Sequence, residues 1–504
     1  MKKFLLLILR IAIRLLPLGF CYITKHWCDV NETFALVSTI LWIAAISAGE
    51  FLLRKKNPEH KLITVLTMLT SVVIILLMIW STVFDPEWNS CSMREGIWNY
   101  DSGNAVLTRK EAIEDLDYVM KYLKKVHPLT KDGLPEEIAA KEKEVREWLN
   151  TQDTVEGYRL SRELERILAP LEDGHTHAYE NYLDSHRMKH IYEHNLKGDT
   201  LVGINGITFE EYLKAEPDLR SYDHGMEAYG VRLIKNRIGT LEGLKYMGID
   251  ISGDIVYNYI TKDGEEENVT VRAEDFLCME EYLDYETEVT GVDLRTVDDQ
   301  GKAHGFVYYE IDEELSLAVL TITSCNYNDF YKQTVKDLFR EVEEKKIRNI
   351  AVDLRSNSGG SSWVATEFIS YLAVDTYRDW GEELRLNPLI IKSPGGEVKN
   401  SRKGAGFDGN VYVLTGVSSF SSAMDFAMLI GDNDLGTIIG QPCGNLPSGY
   451  GDIVRFQLPN SKIVMQVSMK KWHRVDESKE EEPLTPDVIC PENEALEVMK
   501  ELIK

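Results

Sequence analysis

VYVLTGVSSFSSAMDFAMLIGDNDLGTIIGQPCGN, residues 411–445, reads as strand, turn, helix and strand. The apolar run Val411–Thr415 has the length and β-branched content of a buried strand. GVSSF then leads to Ser421, Ser422 and Ala423, where Met424, Phe426, Ala427 and Ile430 begin an apolar helical run. Ser421 therefore falls at a helix N-terminus. Aligned peptide dipoles there favour a developing alkoxide or oxyanion, and the N–H of Ser422 can point at the same oxygen. The four serines Ser418, Ser419, Ser421 and Ser422 also suit plain N-capping.

Working upstream, strand and helix keep alternating: LAVLTI, a helix over about 329–344, NIAVDLR, and a helix over about 363–372. That order predicts an α/β layer over 291–504. The strand Ile350–Leu354 runs into RSNSGG, whose adjacent Gly359 and Gly360 let backbone N–H groups approach a ligand. An oxyanion site and an ordinary strand-to-helix turn both fit those glycines. Farther upstream lies LEDGHTHAYE, with His175 two residues before His177 and no periodic apolar pattern to bury either ring. A loop imidazole can act as a general base near neutral pH, and it can equally be a surface residue.

Between these pieces, Thr108 and Glu111 form a T-x-x-E capping box ahead of Ile113, Leu116, Met120 and Leu123 at helical spacing. His127-Pro128 ends that helix. Further helical sequence over 135–150 and 155–168 predicts a helical subdomain over 85–185 that carries the DGHT loop. Residues 186–290 read as β-rich, with turns at Asn205-Gly206 and Asp263-Gly264.

The first 84 residues are of another kind. Three apolar stretches, Phe4–Ile23, Thr33–Leu53 and Leu62–Phe84, each approach the roughly 20 residues that a bilayer core requires. Arg10 and Arg14 interrupt the first, so the region is expected to hold two or three transmembrane helices. The loop RKKNPEHK, with Arg54, Lys55, Lys56 and Lys61, is the basic and hence cytoplasmic one; the first joining segment sets Lys25 against Asp29 and Glu32. This places the chain after Phe84 outside: a multi-pass cell-membrane protein with a large extracytoplasmic domain. Net charge is −26, divided as +5 over residues 1–84 and −31 beyond, which argues against nucleic acid as a partner. Cys21, Cys28, Cys91, Cys278, Cys325, Cys443 and Cys490 show no CxxC spacing, so neither a metal site nor a disulfide framework is expected. No candidate serine stands in a G-x-S-x-G elbow, which disfavours an α/β-hydrolase esterase.

LEDGHT, GDTLVGINGITFEEYL, DLRSNSGG, residues 411–445, LPNSKI and EEEPLTPDVI together resemble the C-terminal processing and tricorn-core serine peptidases, over roughly residues 108–492. The resemblance implies an α/β core with ClpP/crotonase-like layers and a PDZ-like segment within 186–290. It implies Ser421 as nucleophile, Gly359 or Gly360 with Ser422 as oxyanion donors, and His175 as general base. Glu480 is the nearest match to the orienting glutamate that tricorn-like members carry near a Pro-Asp motif, here Pro486-Asp487, with Glu481 and Glu482 competing. It implies peptide or unfolded-protein substrates and no cofactor. One departure stands out: GQPCGNLPSGYG contains no lysine where Ser-Lys members carry one. Either His175 replaces that base, or the chain is an inactive membrane-bound peptide-binding or sensory protein.

Overall fold

The computed structural model describes residues 2–27, 32–54, 61–92, 94, 96–290 and 305–504. Cys28, Asp29, Lys55 and Lys56 lie outside the described residues, as do the side chains of Lys2, Lys3, Cys21, Lys25, Glu32, Arg54 and Lys61.

A six-stranded sheet forms the α/β layer, in the order Val307–Asp312, Leu317–Ile322, Asn349–Asp353, Asn410–Thr415, Thr437–Gly440 and Val488–Ile489. The first pair is antiparallel and the others parallel. The helices Asp329–Lys345, Trp363–Ile369 and Ser422–Gly431 bury their apolar sides with one face of this sheet, and Ala495–Leu502 packs on the other through Ala495 and Met499. Burial on both faces explains why Val411–Thr415 and Ile350–Asp353 read as continuous apolar runs. Asp487 accepts the N–H of Ile438, so the Pro-Asp pair of the sequence secures an inner strand.

A second sheet runs Leu389–Ser393, Gly381–Leu386, Val464–His473 and Tyr450–Gln457, and the short strand His177–Tyr179 adds to it by pairing with Val464, Met465 and Gln466. The helices Arg109–Val126, Glu136–Thr151 and Gly157–Leu168 lie near the expected bounds, and the Thr108–Glu111 capping box is formed. Their apolar faces share one core with Val454, Phe456, Met465 and Val467, so the helical part is sealed by strands from near the end of the chain. Within 186–290 a four-stranded antiparallel sheet includes the hairpin Ile255–Ile260 with Glu266–Val271, and five helices accompany it; the stretch read as β-rich is a mixture. Asn205 and Gly206 both take positive φ, the geometry of a tight hairpin turn.

Three helices, Lys2–Trp27, Glu32–Arg54 and Lys61–Phe84, precede the large domain. Among the described residues one, Leu62–Phe84, is long and apolar enough to cross a membrane, by length and composition. Arg14, fully buried, donates to both carboxylate oxygens of Glu50 and to Ser71 Oγ at 2.8 Å, joining all three helices. Arg10 lies 3.5 Å from the same carboxylate.

Phe456 is 1% exposed and stacks on Tyr122 at 4.1 Å, at the junction of strands and helices. Phe456→Ala is expected to destabilise the large domain by about 3–5 kcal/mol, read by chemical denaturation.

Candidate active site

Two parallel strands of the six-stranded sheet deliver the central residues. Asn349–Asp353 ends in the turn that carries Gly359 and Gly360, and its neighbour Asn410–Thr415 ends in the turn that carries Ser421. The turns are joined by backbone and side chain: Phe420 N–H donates to Asn357 O at 3.0 Å, and Ser419 Oγ donates to Leu354 O at 2.8 Å. Gly359 approaches so closely that a Cβ on it would lie 2.7 Å from Ser421 Cβ and 3.1 Å from Ser422 N. With φ at +102°, only glycine suits this position.

Ser421 immediately precedes the helix Ser422–Gly431 with φ 54° and ψ −126°, a conformation costly for a non-glycine residue. It does not cap the helix with its side chain, which removes the plain N-cap reading of this serine. Its backbone N–H donates to Asn445 Oδ1 at 2.7 Å. The stretch GQPCGN, notable for its missing lysine, thus supplies a carboxamide that holds the strained backbone.

The candidate oxyanion donors separate. Gly359 N–H is occupied, donating to Asn357 Oδ1 at 2.8 Å, so Gly359 gives close approach and not a free donor. Gly360 N–H and Ser422 N–H have no hydrogen-bond partner among the described residues. Ser422 Oγ donates to Gly360 O at 3.0 Å, tying these two residues together.

His175 reaches this centre from the other sheet. Pairing of His177–Tyr179 with Val464–Gln466 anchors its loop, Gln466 Nε2 donates to His175 O at 2.7 Å, and Ser468 N–H donates to Thr176 Oγ1 at 2.9 Å. The imidazole packs against Phe420, the residue before Ser421, at 4.5 Å between ring centres. Contrary to the surface-loop reading, His175 is largely buried, and neither ring nitrogen has a hydrogen-bond partner among the described residues. Burial alone would draw its pKa down; the carboxylates of Asp173, Asp223 and Asp425 outweigh that and hold it above the ordinary 6.5. His177 behaves oppositely: burial, then the Arg220 guanidinium, push it well below its ordinary value and keep it neutral.

Glu480 is elsewhere. Its carboxylate accepts from His473 Nδ1 at 2.7 Å and from the Arg474 N–H at 3.3 Å, with no hydrogen bond to His175 or Ser421. Glu481 is exposed, and the Glu482 carbonyl accepts from Arg474. None of the three competing glutamates makes the expected contact.

Sequence reading missed Asn357, Asn445 and Asp425. Asp425 lies one turn into the helix after Ser421, accepts from Ser362 Oγ at 2.9 Å, and is pushed by burial up to about 6. Its placement one helical turn beyond Ser421 was the available signal. As for metals, one atom from each of His194, Asp199 and Glu267 lies within 4.8 Å of the others, and His194 Nδ1 already hydrogen-bonds Asp199.

The sequence profile of peptidase family S41 matches residues 316–490, which include Gly359, Gly360, Ser421 and Asn445. No protein of curated function matches the chain in sequence. Among solved structures, mature CPAF complexed with lactacystin superimposes with a TM-score of 0.56 and 13% identity, over 78% of this chain and 98% of that one. Mature CPAF gives 0.56 and 13% over 79% and 97%. The photosystem II D1 C-terminal processing protease gives 0.40 and 10% over 76% and 93%. At the first two identities the likeness is one of fold.

Two substitutions probe the geometry. Gly359→Ala should displace the Ser421 backbone and abolish labelling by a fluorophosphonate probe. Asn445→Ala leaves the Ser421 N–H unbonded, a loss of about 1–3 kcal/mol, and should slow labelling roughly tenfold or more.

Proposed function

We propose that the chain is a membrane-anchored serine peptidase of the S41 kind acting on extracytoplasmic peptides or unfolded proteins, a reading supported by the family profile that matches residues 316–490. The observation that carries this reading is Ser421, held at φ 54° next to Ser422 and the Gly359-Gly360 turn, where the N–H groups of Gly360 and Ser422 have no partner among the described residues. Such a serine has no role in capping its own helix, and two fixed donors next to it suit the oxygen of a tetrahedral intermediate.

In this mechanism Ser421 Oγ attacks the scissile carbonyl as its proton passes to His175. The carbonyl oxygen becomes an oxyanion received by Gly360 and Ser422 N–H. Collapse breaks the C–N bond, His175 returns the proton to the departing amine, and an acyl-serine remains. Water then attacks with His175 again as base, releasing the acid and restoring Ser421. A substrate could add as an extended strand at a sheet edge, and the four-stranded sheet within 186–290 is the PDZ-like candidate for that role.

Membrane anchoring is supported by Leu62–Phe84 and by the exposed apolar side chains of all three N-terminal helices, among them Leu9, Leu41, Leu69 and Leu76. The ion pair of Arg14 with Glu50 removes the main objection to inserting the first helix, because a buried charge in an apolar medium needs a partner. With three spans, Lys2, Lys3 and the RKKNPEHK loop all fall on the cytoplasmic side, leaving the large domain outside.

One observation favours a second reading, a peptide-binding or sensory protein without turnover: the ring nitrogens of His175 have no hydrogen-bond partner among the described residues. The two part on the full-length protein in detergent. The peptidase reading expects fluorophosphonate labelling that disappears in Ser421→Ala; peptide binding with neither labelling nor cleavage would establish the second. His175→Ala should lower kcat by about 10²–10⁴-fold while His177→Ala should not. Because the base must be neutral and its pKa is held above 6.5, kcat/KM should begin to fall, as pH is lowered, above that value. Protease added to intact cells should digest the large domain; protection until the membrane is opened would reverse the topology.

A further inference from the structure

A general-base histidine needs one ring nitrogen protonated and aimed at an acceptor so that the other offers its lone pair. Glu480 does not meet that need, since its carboxylate is engaged by His473 and Arg474. Asp173, two residues before His175 in the DGHT loop, is differently placed. Its Oδ1 accepts the backbone N–H of His175 at 2.8 Å and lies 3.7 Å from His175 Nδ1, an ion-pair distance that a small ring movement would turn into a hydrogen bond.

What holds Asp173 there is a second histidine. His127 and Asp173 are both fully buried, and His127 Nε2 is 3.1 Å from Asp173 Oδ2. The tautomer of His127 follows from its other nitrogen: Leu129 N–H donates to Nδ1 at 3.2 Å, so Nδ1 carries the lone pair and Nε2 carries the hydrogen. His127 therefore donates to Oδ2 and leaves Oδ1 for His175. Ser221 Oγ accepts the Asp173 N–H at 3.1 Å and fixes the backbone. We propose that Asp173, clamped by His127, is the positioning carboxylate of His175, in the role that sequence resemblance gives to Glu480. This rests on His175 as the base of the proposed peptidase.

Electrostatics agree with the geometry. Burial opposes ionisation of Asp173, but hydrogen bonding from His127 and the nearness of His175 hold its carboxyl well below the usual range, so it is an anion. The other charged or titratable groups acting on His175 are Asp223, which accepts Gly174 N–H and is raised by burial and Asp173 to about 6, Asp425 on the helix after Ser421, and neutral His177. Asp173 is the one held as an anion well below its ordinary pKa, and the one whose Oδ1, already accepting the His175 backbone N–H, also lies 3.7 Å from Nδ1.

The test compares full-length wild type with Asp173→Asn, Glu480→Gln, His127→Gln and His127→Leu. Asp173→Asn should lower kcat by about 10²–10⁴-fold with KM nearly unchanged, and should move the acid limb of kcat/KM to lower pH because His175 loses its anion. Glu480→Gln should leave that limb in place. His127→Gln keeps an N–H donor and should stay within about tenfold of wild type, whereas His127→Leu should fall with Asp173→Asn; this pair decides the matter if Asp173→Asn does not fold. An acid limb that moves with Glu480→Gln and not with Asp173→Asn, or equal loss in both His127 variants, overturns the proposal. If wild type neither cleaves nor labels, the peptidase reading falls separately. The ¹⁵N histidine spectrum then still decides: the Nδ1–H tautomer at His175, lost in Asp173→Asn, supports the clamp, and an unchanged tautomer refutes it.

Discussion

Three residue pairs between distant parts of the chain hold the candidate site together: Tyr179 with Val464, Ala178 with Met465, and His177 with Gln466. On one side of this short antiparallel seam stands the helical part with the DGHT loop; on the other stands the long strand that continues to His473. Backbone pairing fixes register in steps of one residue. The imidazole at 175 is thereby placed by a strand built almost 300 positions later, and the side-chain bonds from Gln466 and Ser468 only refine its position. The shared core of Phe456, Met465 and Val467 with the helices makes the seam hard to open locally.

The serine is held by a different device. Ser421 is kept in an unfavourable backbone state by contacts on several sides: the glycine turn against its Cβ, Asn357 on the preceding residue and Asn445 on its own N–H. Strain of roughly 1–3 kcal/mol persists only where the surroundings over-determine it. Here the surroundings are two adjacent parallel strand ends, whose spacing is set by the sheet. Precision at Ser421 comes from a rigid layer, and precision at His175 from a seam between distant segments.

Much of this was legible beforehand because it is local. Period and composition located the strands Asn410–Thr415 and Asn349–Asp353, the helix after Ser421, the capping box at Thr108 and the hairpin turns at Asn205 and Asp263. What depended on contacts between distant residues was not. Nothing near Glu480 reveals that His473 and Arg474 engage it, and nothing near Gly359 reveals that Asn357 takes its N–H. His127 read as a helix stop, which it is; its second role appears only when Asp173 arrives beside it. The missing lysine drew attention to GQPCGN, yet the residue that matters there, Asn445, acts through a backbone bond that spacing does not encode.

Cys325 and Cys443 sit inside the core, and burial pushes both thiols up to about 12. Nucleophilic sulfur chemistry proceeds through the thiolate, which these side chains scarcely form at neutral pH. The folded molecule consequently tolerates oxidising conditions without cross-linking them, and alkylating reagents reach them after unfolding and not before. Since Cys325 packs beneath Gly360, its exposure would also report that the glycine turn has come away from its seat. Folding speed is then its own protection against oxidation: a chain that lingers half-assembled exposes two thiols that the finished structure conceals.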